Sequence, residues 1–459
     1  MVPRSGYWTR FPLRYRAAEM GLMAGWLAAG ESGSVVSLPG AGRATLLNFL
    51  CQRPDALALY LPAHARPVVL VPVDLNTLPD NTLATLYRVI LRAFSETRDR
   101  FPAELQEAIV TQYRKHEATR DPFLSQSGLR ELLLLCQAAG LRVALVLNRF
   151  DQFCRAATPE MTTTLRGLRD AFKDTLLYLA GMRQEAIYLT DVPGIEPVAH
   201  LLISRVCWVG PLSEADGLFM IHRQTRHLDT AVSPDVSGRL RALTGGLPSL
   251  LRIACHWWLA AGGQPDGTWT AQLLARADMQ RQLADLWASL SQEEQAVLAA
   301  LQEPTPEPLK PALQAVLPAL VTKGVCRIDA GQGRIASELL AAFVAETPAR
   351  SRGKVWQHEQ TREIYLGAAP VADLKPMERA VLEFLLEYPR IRHTHTQLIE
   401  GAWPEDASRD GVSNDALYQA IRGIRKRIEP NPGRPVYVIN WRGQPEGGYQ
   451  FFPEGRPAV

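Results

Sequence analysis

The chain has 459 residues, of which 47% are hydrophobic and 21% charged, with a formal net charge of +3. This is the composition of an ordinary soluble globular protein of about three or four domains, and the charge is too small to imply a nucleic-acid partner by itself. The six cysteines are scattered without a CxxC pair, which excludes a zinc site of that type and suits reduced thiols in a cytoplasmic protein. No apolar run reaches the roughly 18 residues of a membrane span. Met20 to Gly30 is apolar and preceded by positive charge, as in a signal peptide. It reads better as a helix leading into the strand Ser34–Leu38.

After that strand, Ser37-Leu38-Pro39-Gly40-Ala41-Gly42-Arg43-Ala44-Thr45 has the form of a phosphate-binding loop between a strand and a helix. The pattern G-x-x-x-x-G-K-[ST] is met in part. Gly42 is present, Ser37 stands for the first glycine, Arg43 for the lysine and Ala44 for the Ser/Thr, while Thr45 lies one residue late. Pro67–Asp74 and Leu141–Asp151 are buried-strand runs, the second ending in Asn148, Arg149 and Asp151. Glu185–Asp191 is expected to be a further strand that ends in a polar, sensor-like Thr190. Strands alternating with helices predict a parallel sheet with its ligand at the carboxyl edge.

With Thr244-Gly245-Gly246-Leu247-Pro248 beginning a later helix, residues 10–275 resemble the STAND class of AAA+-related signalling ATPases. The resemblance implies an ATP or ADP site built from Gly40, Gly42, Arg43, Ala44, Thr45, Asn148, Asp151, Thr190 and Pro248. It also exposes departures. Active members hold Mg²⁺ through the Ser/Thr and a Walker B Asp and orient water with a neighbouring acid. Ala44, Asn148 and Arg149 stand at those places, so no metal site is expected. Asn lacks the charge that favours a hard cation. A pseudo-ATPase that scaffolds or senses is the reading, and an ATP-driven switch is the alternative.

Residues 212–278 are expected to form helical lid elements, with Trp257 and Trp258 in the core. Residues 279–346 suggest a small winged-helix-like module. Ser291 with Glu294 forms a capping box, Leu317–Val325 is a helix, and Cys326–Asp329 and Arg334–Ala336 are wing strands turning at Gly331–Gly333. This module lacks a basic third helix, which points to a structural or protein-docking role. Residues 347–368 read as a polar linker.

Residues 369–455 hold the strongest pattern. Arg379–Leu386 and Thr396–Trp403 are helices, and a third runs over Ser413–Ile428. Its apolar set Leu417, Ala420, Ile421, Ile424 and Ile428 falls on one face. A strand over Val436–Ile439 and a hairpin ending Gly448-Tyr449 follow. Residues 422–442 carry six basic side chains against the single acid Glu429, although residues 369–459 balance at twelve each.

Leu374-Lys375-Pro376, Ala402-Trp403, Ile424-Arg425-Lys426-Arg427-Ile428-Glu429, Arg442-Gly443 and Gly448-Tyr449 closely resemble, in order, the motifs of the OmpR/PhoB-type effector domain of response regulators. The wing carries an insertion, Gln444–Gly447. The resemblance implies that double-stranded DNA is the partner, met by Asn414, Tyr418, Gln419, Arg422, Arg425, Lys426, Arg427 and Arg442, with a dimer or higher oligomer on paired half-sites. No phosphoacceptor-type Asp after a strand precedes the domain, so the input is an unidentified protein or small-molecule signal. A scaffold whose winged helices dock only proteins is the third reading. The expected architecture is multidomain α/β plus α+β: a P-loop NTPase-like parallel sheet over 1–211, the helical lid and two winged-helix modules.

Overall fold

The computed structural model describes residues 5–189, 192–226, 232–261, 269–302, 314–345, 353–367, 369–403, 414–429, 432–433, 435–443 and 446–455. The chain forms two compact units, residues 1–241 with 246–264 and residues 242–245 with 265–459.

The first unit is built on a five-stranded sheet: β1 (Gly33–Val36), β2 (Val68–Val73), β3 (Arg142–Asn148), β4 (Leu176–Met182) and β5 (Val206–Trp208). Every pairing is parallel, and the order is β2-β3-β4-β1-β5. The strands are nearly continuous apolar runs because helices cover both faces of such a sheet. All seven residues of β4 are buried. Helices Leu83–Glu96, Ala103–His116 and Pro122–Ala138 pack on one another, and the apolar core includes Leu86, Phe94, Leu133, Val143 and Leu147. The Met20–Gly30 segment is the helix Ala17–Ala29, closed by Gly30 in the left-handed conformation.

The expected strand over Glu185–Asp191 does not form. The strand is Leu176–Met182, and Ala186–Tyr188 is a single 3₁₀ turn. A fully buried strand shows no alternation, so periodicity could not set its position. Thr190 lies outside the described residues.

The expected lid stretch 212–278 divides. Helices Glu214–Thr225 and Pro248–Ala260 pack together within the first unit, and Trp257 and Trp258 are buried there. Trp269–Leu274 belongs to the second unit, where it packs on helix Glu338–Ala345.

The second unit holds two small modules. In the earlier one, Ser291 and Glu294 make the capping box at the head of Gln292–Ala300. The two strands expected as its wing are β6 (Cys326–Asp329) and β7 (Gln332–Ile335), an antiparallel pair with Asp329 opposite Gln332. The turn is therefore Ala330-Gly331, both left-handed, rather than Gly331–Gly333. Two left-handed residues make the tight turn whose twist matches antiparallel strands.

In the C-terminal module the stretch 347–368, expected to be a linker, is partly structure. Strands β8 (Val355–Gln357) and β9 (Ile364–Leu366) join β10 (Ala369–Pro370) in an antiparallel sheet. Val355 and Ile364 enter the same core as Val381, Leu398 and Ile424. Among the described residues three helices follow, Pro376–Glu387, His395–Ala402 and Asn414–Ile428, with β11 (Arg392–Thr394) between the first two. A hairpin of β12 (Val438–Trp441) and β13 (Gly448–Phe451) pairs with β11 in the order β11-β13-β12. The first and third helices cross closely at Gly423. A methyl group there would lie 1.9 Å from Glu378 Oε1, so any larger residue would displace the buried Glu378 carboxylate from its pairing with Arg427.

Candidate functional site

Candidate functional residues gather in two places, one in each unit. In the first, the loop after β1 begins where Ser37 N donates to Met182 O at 3.2 Å. It turns through Gly40 and Gly42, at φ 82° and 92°, a conformation costly for other residues. Helix Arg43–Gln52 then starts with its first N–H groups facing the loop, an arrangement suited to anions.

The loop is braced from two sides. The buried Arg16 donates to Ala41 O at 2.7 Å and to Gly210 O and Pro211 O at 2.9 and 3.0 Å. From the lid, Ser249 N donates to Gly40 O at 3.1 Å, and Pro248 Cγ is 3.3 Å from where a Gly42 methyl would sit. Pro248 thus lies against the loop.

Arg43 is only 9% exposed, and its Nε and Nη1 have no hydrogen-bond partner. Burial draws its pKa down to about 10, Asp151 pulls it upward, and Arg183 and Arg149 lower it further. It therefore remains a cation at neutral pH. A methyl on Gly181 would lie 3.0 Å from Asn148 Oδ1 and 3.4 Å from Arg43 Nε, so the absence of a side chain there lets the two groups converge over β4. Asn148 Oδ1 accepts from Arg149 N at 3.0 Å. Asp151 is buried; its Oδ2 accepts from Arg183 N at 3.3 Å, and its Oδ1 has no partner. Ala44 is exposed and Thr45 half-buried.

These residues do not fit a hard divalent cation. Ala44 has no donor oxygen, the Asn148 amide is neutral and already engaged, and Asp151 lies among guanidinium groups. They fit an anion better, because a buried guanidinium with unmet N–H groups calls for an acceptor. Arg183, at the end of β4, is a site residue that sequence reasoning misses, because an unbroken apolar strand carries no alternation that would locate its end.

The second place is the outward face of helix Asn414–Ile428. Leu417, Ala420, Ile421, Ile424 and Ile428 are buried, as their spacing predicts. Asn414, Asp415, Tyr418, Gln419, Arg422 and Lys426 are exposed. Two basic residues turn inward instead. Arg425 is half-buried, donates through Nε to Val438 O at 3.1 Å, bonds Asn440 Oδ1 and lies over the Tyr449 ring. Arg427 donates to Gly423 O and Asp373 O and pairs with Glu378 at 3.0 Å. Arg442 is exposed at the end of β12.

Glu429 fixes the wing. Its buried carboxylate accepts from Val436 N, Tyr437 N and Val438 N at 2.6, 2.9 and 2.8 Å. The carboxylate thereby holds the segment that leads into β12, which starts at Val438.

Residues 369–451 match the family described as "Transcriptional regulatory protein, C terminal". A probable transcriptional regulatory protein of Picosynechococcus sp. is 37% identical over 78 residues, 17% of this chain and 29% of the relative. The alkaline phosphatase synthesis transcriptional regulatory protein SphR of Synechococcus elongatus is 36% identical over 70 residues, 15% of this chain and 26% of the relative. The chain thus spans between a quarter and a third of the length of these two curated relatives. Among solved structures, a Walker-type ATPase of Pyrococcus abyssi is similar at 15% identity and a TM-score of 0.43, over 72% of this chain and 95% of that one. The chain therefore carries an OmpR/PhoB-type winged helix at its C-terminal end. Its first unit is a parallel sheet of P-loop NTPase type, by strand order and by the loop between β1 and the helix Arg43–Gln52.

Proposed function

We propose that this chain is a cytoplasmic DNA-binding transcriptional regulator whose P-loop unit, of STAND type, holds an adenine nucleotide as a scaffold with little or no hydrolysis. The observation that carries the DNA reading is the outward face of Asn414–Ile428. It presents Tyr418, Gln419, Arg422 and Lys426 to solvent while the opposite face is core. A helix so equipped suits the major groove, and Arg442 on the wing suits the phosphate backbone or the adjacent minor groove. The signal that sets its state, a protein or a small molecule, acts through the first unit.

The functional form on DNA is a dimer or higher oligomer. Footprinting with the full chain should show two protected half-sites spaced by about 10–11 base pairs. A single isolated half-site at saturating protein would count against the dimer, and no protection at all would count against DNA binding.

In the nucleotide unit, phosphate release should be at background, and nucleotide titration should change little when Mg²⁺ is chelated. Arg43→Ala should weaken nucleotide binding at least tenfold, roughly the worth of one charge-assisted bond pair. Turnover near 1 per second that a chelator abolishes would overturn the scaffold reading and make the unit an ATP-driven switch.

A further inference from the structure

Helix His395–Ala402 begins with backbone N–H groups that no helical carbonyl can meet, and those of Thr394 to Gln397 all find partners within the chain. The capping box serves two of them, with Thr394 N donating to Gln397 Oε1 at 3.0 Å and Gln397 N to Thr394 Oγ1 at 3.2 Å. The wing serves the others. His395 N donates to Gly447 O at 3.3 Å, and Thr396 N donates to Glu446 Oε1 at 3.4 Å. Thr396 Oγ1 adds a bond to Glu446 Oε2 at 3.2 Å. Glu446 and Gly447 close the insertion that lengthens this wing. Their carboxylate and carbonyl lie beside the outward face of helix Asn414–Ile428. Thr396 is exposed, and the ring of His395 is 5.3 Å from that of Tyr418. Arg442 is on the other limb of the wing, its Cα 3.8 Å from where a Gly447 methyl would sit. Hydrogen bonds from Thr394 and Thr396 hold the Glu446 carboxyl below the usual carboxylate range, so it is an anion at neutral pH.

We propose that Glu446 is an internal stand-in for a DNA backbone phosphate, which occupies the donors of Thr396, offsets the charge of Arg442 and so lowers the affinity of the chain for DNA of any sequence. This rests on the DNA-binding reading and adds to it the residue that limits binding. In a helix-turn-helix the helix before the recognition helix crosses the phosphate backbone, and here that helix is His395–Ala402. Its first turn favours an anion, because the helix dipole and the amides there both attract negative charge. With the carboxylate seated on Thr396, a phosphate finds neither its amide nor its hydroxyl free and meets a like charge instead. Phosphate contacts made by cations supply essentially all of sequence-independent binding, so an acid fixed on this surface weakens it directly. Phosphate and carboxylate compete for the same two donors, and the wing must release Glu446 before DNA can use them.

The test is binding of the full chain to a short DNA duplex of arbitrary sequence across a salt series. Glu446→Gln keeps the shape and one acceptor oxygen but removes the charge. It should raise affinity at least about threefold at about 0.1 M salt and steepen the log–log salt slope by up to about 0.9, the worth of one more phosphate contact. Glu446→Asp keeps the charge on the same limb of the wing and should stay within about twofold of wild type. Unchanged thermal unfolding of both variants checks the fold. Binding by Glu446→Gln that is equal to or weaker than wild type would overturn the assignment and leave the DNA reading standing, with Glu446 only a tether for the wing. An equal gain in Glu446→Asp would also overturn it, since loosening of the wing and not loss of charge would then be the cause. Absence of binding by every form at low salt would overturn both readings.

Discussion

Replacing Arg422 and Lys426 together with alanine should lower the affinity of the full chain for its DNA site by about 30-fold near physiological salt. The physical basis is counterion release. Each basic side chain withdrawn from a phosphate reduces the log–log salt slope by about 0.9, so the pair together removes about 1.8. Both side chains are exposed on the outward face of the helix, so their removal leaves the core of the domain intact. Arg442→Ala should free one more phosphate and flatten the slope again by about 0.9. Arg425→Ala is the informative contrast. Its guanidinium is spent on Val438 O, Asn440 and the Tyr449 ring, so its loss should lower thermal stability and leave the slope nearly unchanged. Binding measured across a salt series, with thermal unfolding of each variant, separates the two effects. An unaltered slope in the double variant would show that this face does not meet DNA and would favour a protein-docking module.

Glu429→Ala should destabilise the C-terminal module by about 3 kcal/mol, since three backbone donors lose a charged acceptor in a buried place. Such a loss corresponds to a fall in melting temperature of more than about 10 °C for a module of this size. The wing hairpin should loosen first, because the amides of Val436, Tyr437 and Val438 have Glu429 as their acceptor. Hydrogen exchange should therefore show these three amides losing protection before those of helix Pro376–Glu387. Glu429→Gln keeps the shape and one acceptor oxygen, and should cost less. Equal protection in wild type and Glu429→Ala would show that the carboxylate is not what holds the start of β12.

Much of the architecture is legible in residue order because it is local. The apolar positions of the third C-terminal helix, Leu417 to Ile428, recur at helical spacing and are all buried. Ser291 and Glu294 announce a capping box three residues apart, and it forms. Gly40 and Gly42 mark a turn that needs left-handed backbone, and both adopt it. These outcomes depend on periodicity and on the stereochemistry of single residues, which neighbours a few positions away already specify.

What the tertiary structure decided depends on distant pairings. The position of β4 escaped periodicity because both its faces are buried, and with it the place of Arg183 beside the loop. The strands Val355–Gln357 and Ile364–Leu366 are three residues each in a polar stretch; only the core they join makes them strands. The four basic residues of Arg422–Arg427 read alike in sequence, yet Arg425 and Arg427 turn inward because Val438, Tyr449, Asp373 and Glu378 offer partners. Only the folded chain brings Ala41, Gly210 and Pro211 around the guanidinium of Arg16. A side chain's periodicity says which face of its own element it occupies; whether a charge meets solvent or a carbonyl is set by residues far along the chain, whose approach follows from packing of the whole unit.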